Sequence, residues 1–173
     1  MFTLRKLIKS DCGAYKDLRL LAFQESSSSF SESFEDEHLQ ALDFFQAHMG
    51  DDVEHFSVGC FMGTSQLVAV ATLKRDKRQK ARHKSYIHTM YVAPEFRGKG
   101  IAEGILNSLI QSARSMFALE QIHLWVLNPE TSPAKKLYLK AGFVSQGAVV
   151  RNDLKIKGKY VDAEYMTLSI KTI

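Results

Sequence analysis

The stretch from Ile87 to Ala102 constrains this chain more than any other. An apolar run, Ile87 to Val92, enters a turn at Ala93-Pro94, and Arg97-Gly98-Lys99-Gly100 then leads into a helix at Ile101-Ala102. The first N–H groups of a helix lack intrahelical partners and sit at the positive end of its dipole, so such a turn suits a phosphate. Gly98 and Gly100 let the backbone approach a diphosphate without side-chain obstruction. Strand, turn and helix in this order predict a β-α-β unit with a parallel strand pair inside a mixed sheet.

The remaining elements arrange themselves around that unit. Phe2 to Ile8 alternates as a first strand, and Ser10 is a candidate N-cap for a helix from Asp11 to about Gln24. Ser26-Ser27-Ser28-Ser29 interrupts it, as a flexible loop or a gate over a substrate. A second helix is predicted from about Phe34 to Ala47, carrying Leu39, Leu42 and Phe45 on one face. Phe56–Met62 and Leu67–Leu73 flank Gly63-Thr64-Ser65-Gln66 as a hairpin. The central strand Tyr86–Val92 leads to a helix from about Lys99 to Phe117, followed by a β-rich run from Gln121 to Val126. Pro133 suits the first turn of a helix ending near Gly142. Phe143–Val150 and Tyr160–Ile170 complete the chain as strands on either side of Lys157-Gly158.

At 173 residues, with 45% hydrophobic and 24% charged residues, a single domain over 1–173 with a sizeable core is expected. No apolar run is long enough to span a bilayer, and Met1 to Lys9 lacks a signal-peptide core, so a cytoplasmic protein with no membrane partner is expected. The two cysteines, Cys12 and Cys60, imply no disulfide framework, and the six histidines show no metal-ligand spacing, so no metal is expected. The net charge of +4 is local: Lys74 to Lys84 holds seven Lys or Arg against one Asp. That segment reads either as a solvated hairpin tip or as a patch for RNA, the ribosome or another acidic partner. A strand from Lys84 to Val92, at about 3.3 Å per residue, puts the tip about 26 Å from the glycine turn, too far to hold the same phosphates.

Downstream, Ser132-Pro133-Ala134-Lys135-Lys136-Leu137-Tyr138-Leu139-Lys140-Ala141-Gly142-Phe143 supplies a second motif. Arg97-x-x-Gly100-x-Ala102 and Ala134-x-x-Leu137-Tyr138-x-x-x-Gly142-Phe143, in this order, resemble the two signatures of the GNAT superfamily of acyl-CoA-dependent N-acyltransferases. The resemblance implies an α/β (mixed α+β) GNAT acyltransferase fold: a central mixed, mostly antiparallel sheet of about six to seven strands with a splayed parallel pair, flanked by about four helices. It implies acetyl-CoA as co-substrate. Its phosphates would lie on Arg97, Gly98, Lys99, Gly100, Ile101 and Ala102. Its pantetheine arm would pair with backbone of Met90, Tyr91 and Val92 and pass Ala134. Members often carry an Asn three residues before the motif Ala; Thr131 stands there here and Asn128 lies three residues earlier, so either serves, or Asn128-Pro129 simply makes a turn.

Acetyl transfer to an amine needs a neutral nucleophile and a stabilised thiolate. A lysine-like amine with a pKa near 10.4 is only about 0.1% neutral at physiological pH, so a base or desolvation must supply it. The resemblance assigns the thiolate-side acid to Tyr138. Many members place a Glu base on the central strand, where this chain has Tyr86. His88, two residues on, shares its face and titrates in a suitable range, as a base acting directly or through water. A dedicated base is otherwise absent. Glu32, Glu35, Asp36 and Glu37 either draw in a cationic amine or form a solvated helix start. Trp125 and Tyr91, in predicted strands, read as core rather than as stacking platforms. The expected acceptor is a small-molecule amine or a protein N-terminus or lysine, with no DNA partner and a homodimer as the commonest oligomer. A different class, a non-catalytic acyl-CoA sensor or an RNA-associated module using residues 74–84, follows from the absent Glu and the basic tip.

Overall fold

The computed structural model describes residues 1–171. Its elements run β1 (Phe2–Lys6), α1 (Cys12–Glu25), α2 (Phe34–Glu37), α3 (Leu42–Met49), β2 (His55–Met62), β3 (Gln66–Arg75), β4 (Lys84–Val92), α4 (Ile101–Arg114), β5 (Gln121–Leu127), α5 (Pro133–Lys140), β6 (Val144–Ser145), β7 (Val150–Ile156) and β8 (Lys159–Ser169). The strands form one eight-stranded sheet in the order β1-β2-β3-β4-β5-β8-β6, with β7 also on β8. Only β4 and β5 pair in parallel; the other pairings are antiparallel.

The sheet divides two cores. One face buries α4 through Ile101, Ile105, Leu106, Leu109, Ile110 and Ala113, spaced for a single helical stripe, together with Tyr138 of α5. The other face buries Tyr15, Leu18, Ala22 and Phe23 of α1 and Phe45 and Met49 of α3. No residue of β5 or β8 belongs to this second cluster. That face of the C-terminal half of the sheet is therefore free of apolar helix cover.

Three sequence expectations change. The predicted Phe143–Val150 strand breaks after Ser145, next to Gly147 at φ 149°, and β7 begins at Val150. This split raises the strand number to eight. The predicted helix 34–47 divides into α2 and α3 at Ala41, whose extended backbone (φ −69°, ψ 163°) precedes Leu42. Leu39 and Leu42 consequently lie 86% and 50% exposed, and only Phe45 of the three reaches the core. Ser10 does not cap α1; a 3-10 turn at Lys9–Asp11 precedes the helix, and the Asp11 carboxylate accepts from Arg5 and the Ile8 N–H.

Two irregularities of β4 position the site. Its parallel register with β5 covers only Lys84↔Gln121, Ser85↔Ile122 and Tyr86↔His123, although both strands continue. Beyond Tyr86 they splay, leaving backbone of β4 without a strand on that side. On its other side, Ala71 pairs with Met90 and Leu73 with Ile87, so His88 and Thr89 together oppose Thr72 in a bulge. The Arg19 guanidinium holds the bulge, donating to Thr89 Oγ1 at 2.8 Å and to both Glu37 carboxylate oxygens at 2.7 Å. Arg19 and Glu37 are each only 3% exposed.

Candidate functional site

The splay between β4 and β5 opens a cleft of about 690 Å³. Its walls are Ile87, His88, Met90, Tyr91 and Val92 of β4 and Leu124 to Leu127 of β5. One end is closed by the turn Arg97-Gly98 and Gly100-Ile101-Ala102, and α5 contributes Ala134, Leu137 and Tyr138. The glycine turn, the open edge of β4 and the second motif, separate in sequence, thus meet in one cavity. Of the residues singled out for cofactor binding, Lys99, Asn128 and Thr131 do not line it. Lys99 Nζ turns back to Glu95 O at 2.9 Å. Asn128, at φ 48°, donates from Nδ2 to Ser28 O at 3.2 Å, and its carbonyl accepts from the Thr131 and Ser132 N–H groups. The serine segment, in part a 3-10 turn at Ser27–Ser29, is thereby tied to the β5–α5 connection at the mouth of the cleft.

The turn itself is sterically open. Gly98 and Gly100 have φ of 73° and 75°, a region that favours glycine, and a Cβ on either would meet no heavy atom within 4 Å. The Arg97 side chain is otherwise engaged: Nη1 and Nη2 donate to Glu25 at 3.1 and 2.5 Å, and Nε donates to Val92 O. The donors this leaves at that end of the cleft are the backbone N–H groups that open α4. The Arg97 guanidinium holds the Glu25 carboxyl below the usual carboxylate range. Burial, with Glu25 as hydrogen-bond acceptor, pushes Tyr91 up to about 12. Tyr91 is 5% exposed, with its side chain in the α1 core.

Tyr138 is 5% exposed and packs against Phe143, ring centroids 5.6 Å apart. Burial alone pushes its phenol far above the ordinary value, so it is protonated throughout the physiological range. His88 faces the cleft, its ring set among the cleft walls with its surface open to the cavity. Its pKa is pushed down chiefly by burial and by Lys74, against the opposing pull of Glu32. Its imidazole is consequently neutral near pH 7 and able to take a proton.

Of the four acidic residues near α2, only Glu32 lines the cleft. Glu37, read from sequence as an attractant for a cationic amine or as part of a solvated helix start, is neutralised by Arg19 inside the fold. Trp125, read as core, is 54% exposed and lines the cleft. The alternation of β5 carried this signal, since Ile122, Leu124 and Val126 fill the α4-side core and turn His123 and Trp125 to the opposite face. The basic segment is partly internally compensated: Arg75 and Arg82 share Glu54, and Arg78 pairs with Asp76. It occupies the end of β4 opposite the glycine turn. Among the described residues no group of three or more His, Cys, Asp or Glu is placed to hold a metal, and no helix is long and apolar enough to cross a membrane.

Comparison with known proteins agrees with this geometry. The family model described as "Acetyltransferase (GNAT) family" matches residues 19–143. A spermidine N(1)-acetyltransferase from Vibrio cholerae serotype O1 is 33% identical over 84 residues, 49% of this chain and 47% of that protein. The match thus spans about half of that relative's length. An acetyltransferase of the GNAT family from Streptococcus pneumoniae superposes with a TM-score of 0.81 at 18% identity, covering 98% of this chain and 99% of that one. A GNAT superfamily phosphinothricin acetyltransferase from Sinorhizobium meliloti, solved in complex with acetyl-CoA, gives 0.80 at 20% identity over 97% and 88% of the two chains. At these identities the structural likeness speaks for the fold.

Proposed function

The chain belongs to the GNAT acetyltransferase family, acyltransferases that use acetyl-CoA, and on that premise we propose that it acetylates a primary amine by direct attack on the thioester. The observation that carries this reading is the meeting of the open β4 edge, the glycine cradle and Tyr138 in one cleft. Acetyl-CoA would place its diphosphate against the N–H groups of the turn 98–102 and its pantetheine arm along Met90 to Val92. A strand N–H at the bulge would polarise the thioester carbonyl and hold the oxyanion as it forms. The neutral amine attacks the carbonyl carbon, the C–S bond breaks, and the departing thiolate takes its proton or hydrogen bond from the Tyr138 hydroxyl. Burial raises the pKa of Tyr138, and the same desolvation raises that of a thiolate brought beside it, so the two stay matched. His88 takes the proton that the attacking amine loses, directly or through water.

The reading is tested by thiol release from acetyl-CoA across polyamines, amino acids and N-terminal peptides. Acceptor-dependent release with one class supports it. Acetyl-CoA binding without release on any acceptor supports the sensor instead.

Two further outcomes follow. His88 protonates only as the pH falls through a value below its ordinary 6.5, so kcat is constant near neutrality and falls on the acid side below pH 6.5. His88→Gln lowers kcat and removes that limb; an unchanged profile would exclude His88 as the base. At the cradle, Gly100→Ala places a methyl group where the diphosphate is expected and strains a backbone at φ 75°. Calorimetry should show acetyl-CoA affinity reduced at least about tenfold, roughly 1.4 kcal/mol.

A further inference from the structure

The acceptor end of the cleft carries a built platform that the transfer chemistry does not use. On the face of the sheet free of helix cover, Tyr86, His123, Tyr165 and Trp125 form a continuous row, with successive ring centroids 5.5, 5.4 and 4.8 Å apart. The row is rigidly fixed. His123, 3% exposed, has both ring nitrogens engaged, Nε2 with Gln121 Oε1 at 3.0 Å and Nδ1 with the Tyr165 hydroxyl at 2.6 Å. Burial takes its pKa down to about 4, so it puts no positive charge beneath the platform at neutral pH. Trp125 ends the row with an exposed ring in the cleft lining.

Unpaired carboxylates share the cleft with that ring. Glu32 and Asp153 line the same cleft, and among the described residues neither meets a Lys or Arg in an ion pair. Arg97 is the one Lys or Arg in the lining, and it is already committed to Glu25 at the diphosphate end. Among the described residues, seven Lys or Arg side chains lie over aromatic rings elsewhere, but none over Trp125. An exposed indole face in a cleft that also holds two carboxylates without an Arg or Lys partner attracts a cation through the ring quadrupole and through charge. An anionic acceptor would be repelled.

We propose that Trp125, with Glu32 and Asp153, forms a subsite for a second positive charge on the acceptor, so that the preferred substrate is a dication: one amine reacts as the free base, and a second, remote ammonium rests on the Trp125 ring. This inference rests on the transferase reading above and narrows its acceptor class. It makes Trp125 a specificity-determining residue that sets which amine enters. The methylene chain between the two nitrogens would run along the apolar wall that Leu154 adds beside Asp153.

The test compares two primary amines of equal length, 1,4-diaminobutane and pentylamine, which differ by a terminal ammonium in place of a methyl group. In the wild type, kcat/KM for the diamine should exceed that for the monoamine at least about tenfold, with the ratio falling as salt is raised. Trp125→Leu and the pair Glu32→Gln/Asp153→Asn should each bring the ratio to within about threefold. Circular dichroism and melting temperature confirm that the variants are folded. Equal kcat/KM for the two amines, or a ratio that survives Trp125→Leu, overturns the inference while leaving amine acetylation standing. If neither amine is acetylated, calorimetry of 1,4-diaminobutane against the CoA-loaded protein separates the two ideas. Binding abolished by Trp125→Leu upholds the cation subsite and counts against acetylation of these amines. Absence of binding overturns the subsite.

Discussion

Tyr138→Phe is expected to lower kcat about 10²- to 10³-fold with acetyl-CoA affinity close to that of the wild type, the size of effect typical of a lost general acid. The prediction separates chemistry from packing. The ring is 5% exposed between α5 and Phe143, and phenylalanine preserves its packing against the core while removing only the hydroxyl. That hydroxyl makes no protein hydrogen bond within the cleft wall it helps to form, so the substitution leaves no buried partner unsatisfied among the described residues. A stable, acetyl-CoA-binding variant with very slow turnover is therefore the expected outcome, measured by thiol release and calorimetry. A variant retaining more than a tenth of wild-type kcat would move the acid role away from Tyr138. The pH profile adds a check: because burial holds the phenol protonated, Tyr138 itself should produce no titration in kcat below pH 9.

Arg19→Met is expected to produce the largest loss of stability of any substitution considered. It removes the guanidinium that donates to both oxygens of Glu37 and to Thr89, leaving a carboxylate at 3% exposure without its counter-charge. Breaking a buried ion pair from one side costs about 3–5 kcal/mol, far more than an exposed pair is worth. For a chain of this length, each kcal/mol lowers the melting temperature by about 2–4 °C, so a drop of about 6–20 °C should appear in a thermal melt. Arg19→Met with Glu37→Leu should regain most of it, because the unpaired charge is gone and the apolar replacements pack. A melting temperature unchanged in the single variant would refute the account. The same double variant should remain a poor enzyme, since the bulge at His88-Thr89 loses its tether whichever way stability is restored.

Much of the backbone at the glycine-turn end of the cleft was legible in the sequence, and the reason is local. A strand, a glycine turn and a helix start carry their own backbone chemistry, and positive φ at Gly98 and Gly100 is a requirement that no distant contact alters. The second motif is likewise short-range, with Pro133 opening α5 as expected and Tyr138 following within the same helix. Boundaries for β2, β3, β5 and α4 fell within a few residues of the observed ones because their apolar spacing matches one structural period.

The acceptor half was not legible in that way. Glu32 and Glu37 lie five positions apart in one acidic stretch, yet one opens on the cleft and the other is sealed against an arginine of α1. Nothing in the local composition distinguishes them; the packing of α2 on α1 does. Trp125 sits in an apolar run that reads as core, and it is exposed because no apolar helix covers β5 and β8 on that side. The splay between β4 and β5 is also tertiary. It follows from a register that ends after Tyr86, and the bulge beside it depends on Arg19 reaching Thr89 from a different element. The sequence by itself determined the family, the co-substrate and the left-handed backbone of the glycine turn, because these rest on conformations a few adjacent residues impose. Only the tertiary structure decided which charges face the cleft and which are neutralised, because burial and ion pairing are set by neighbours distant along the chain.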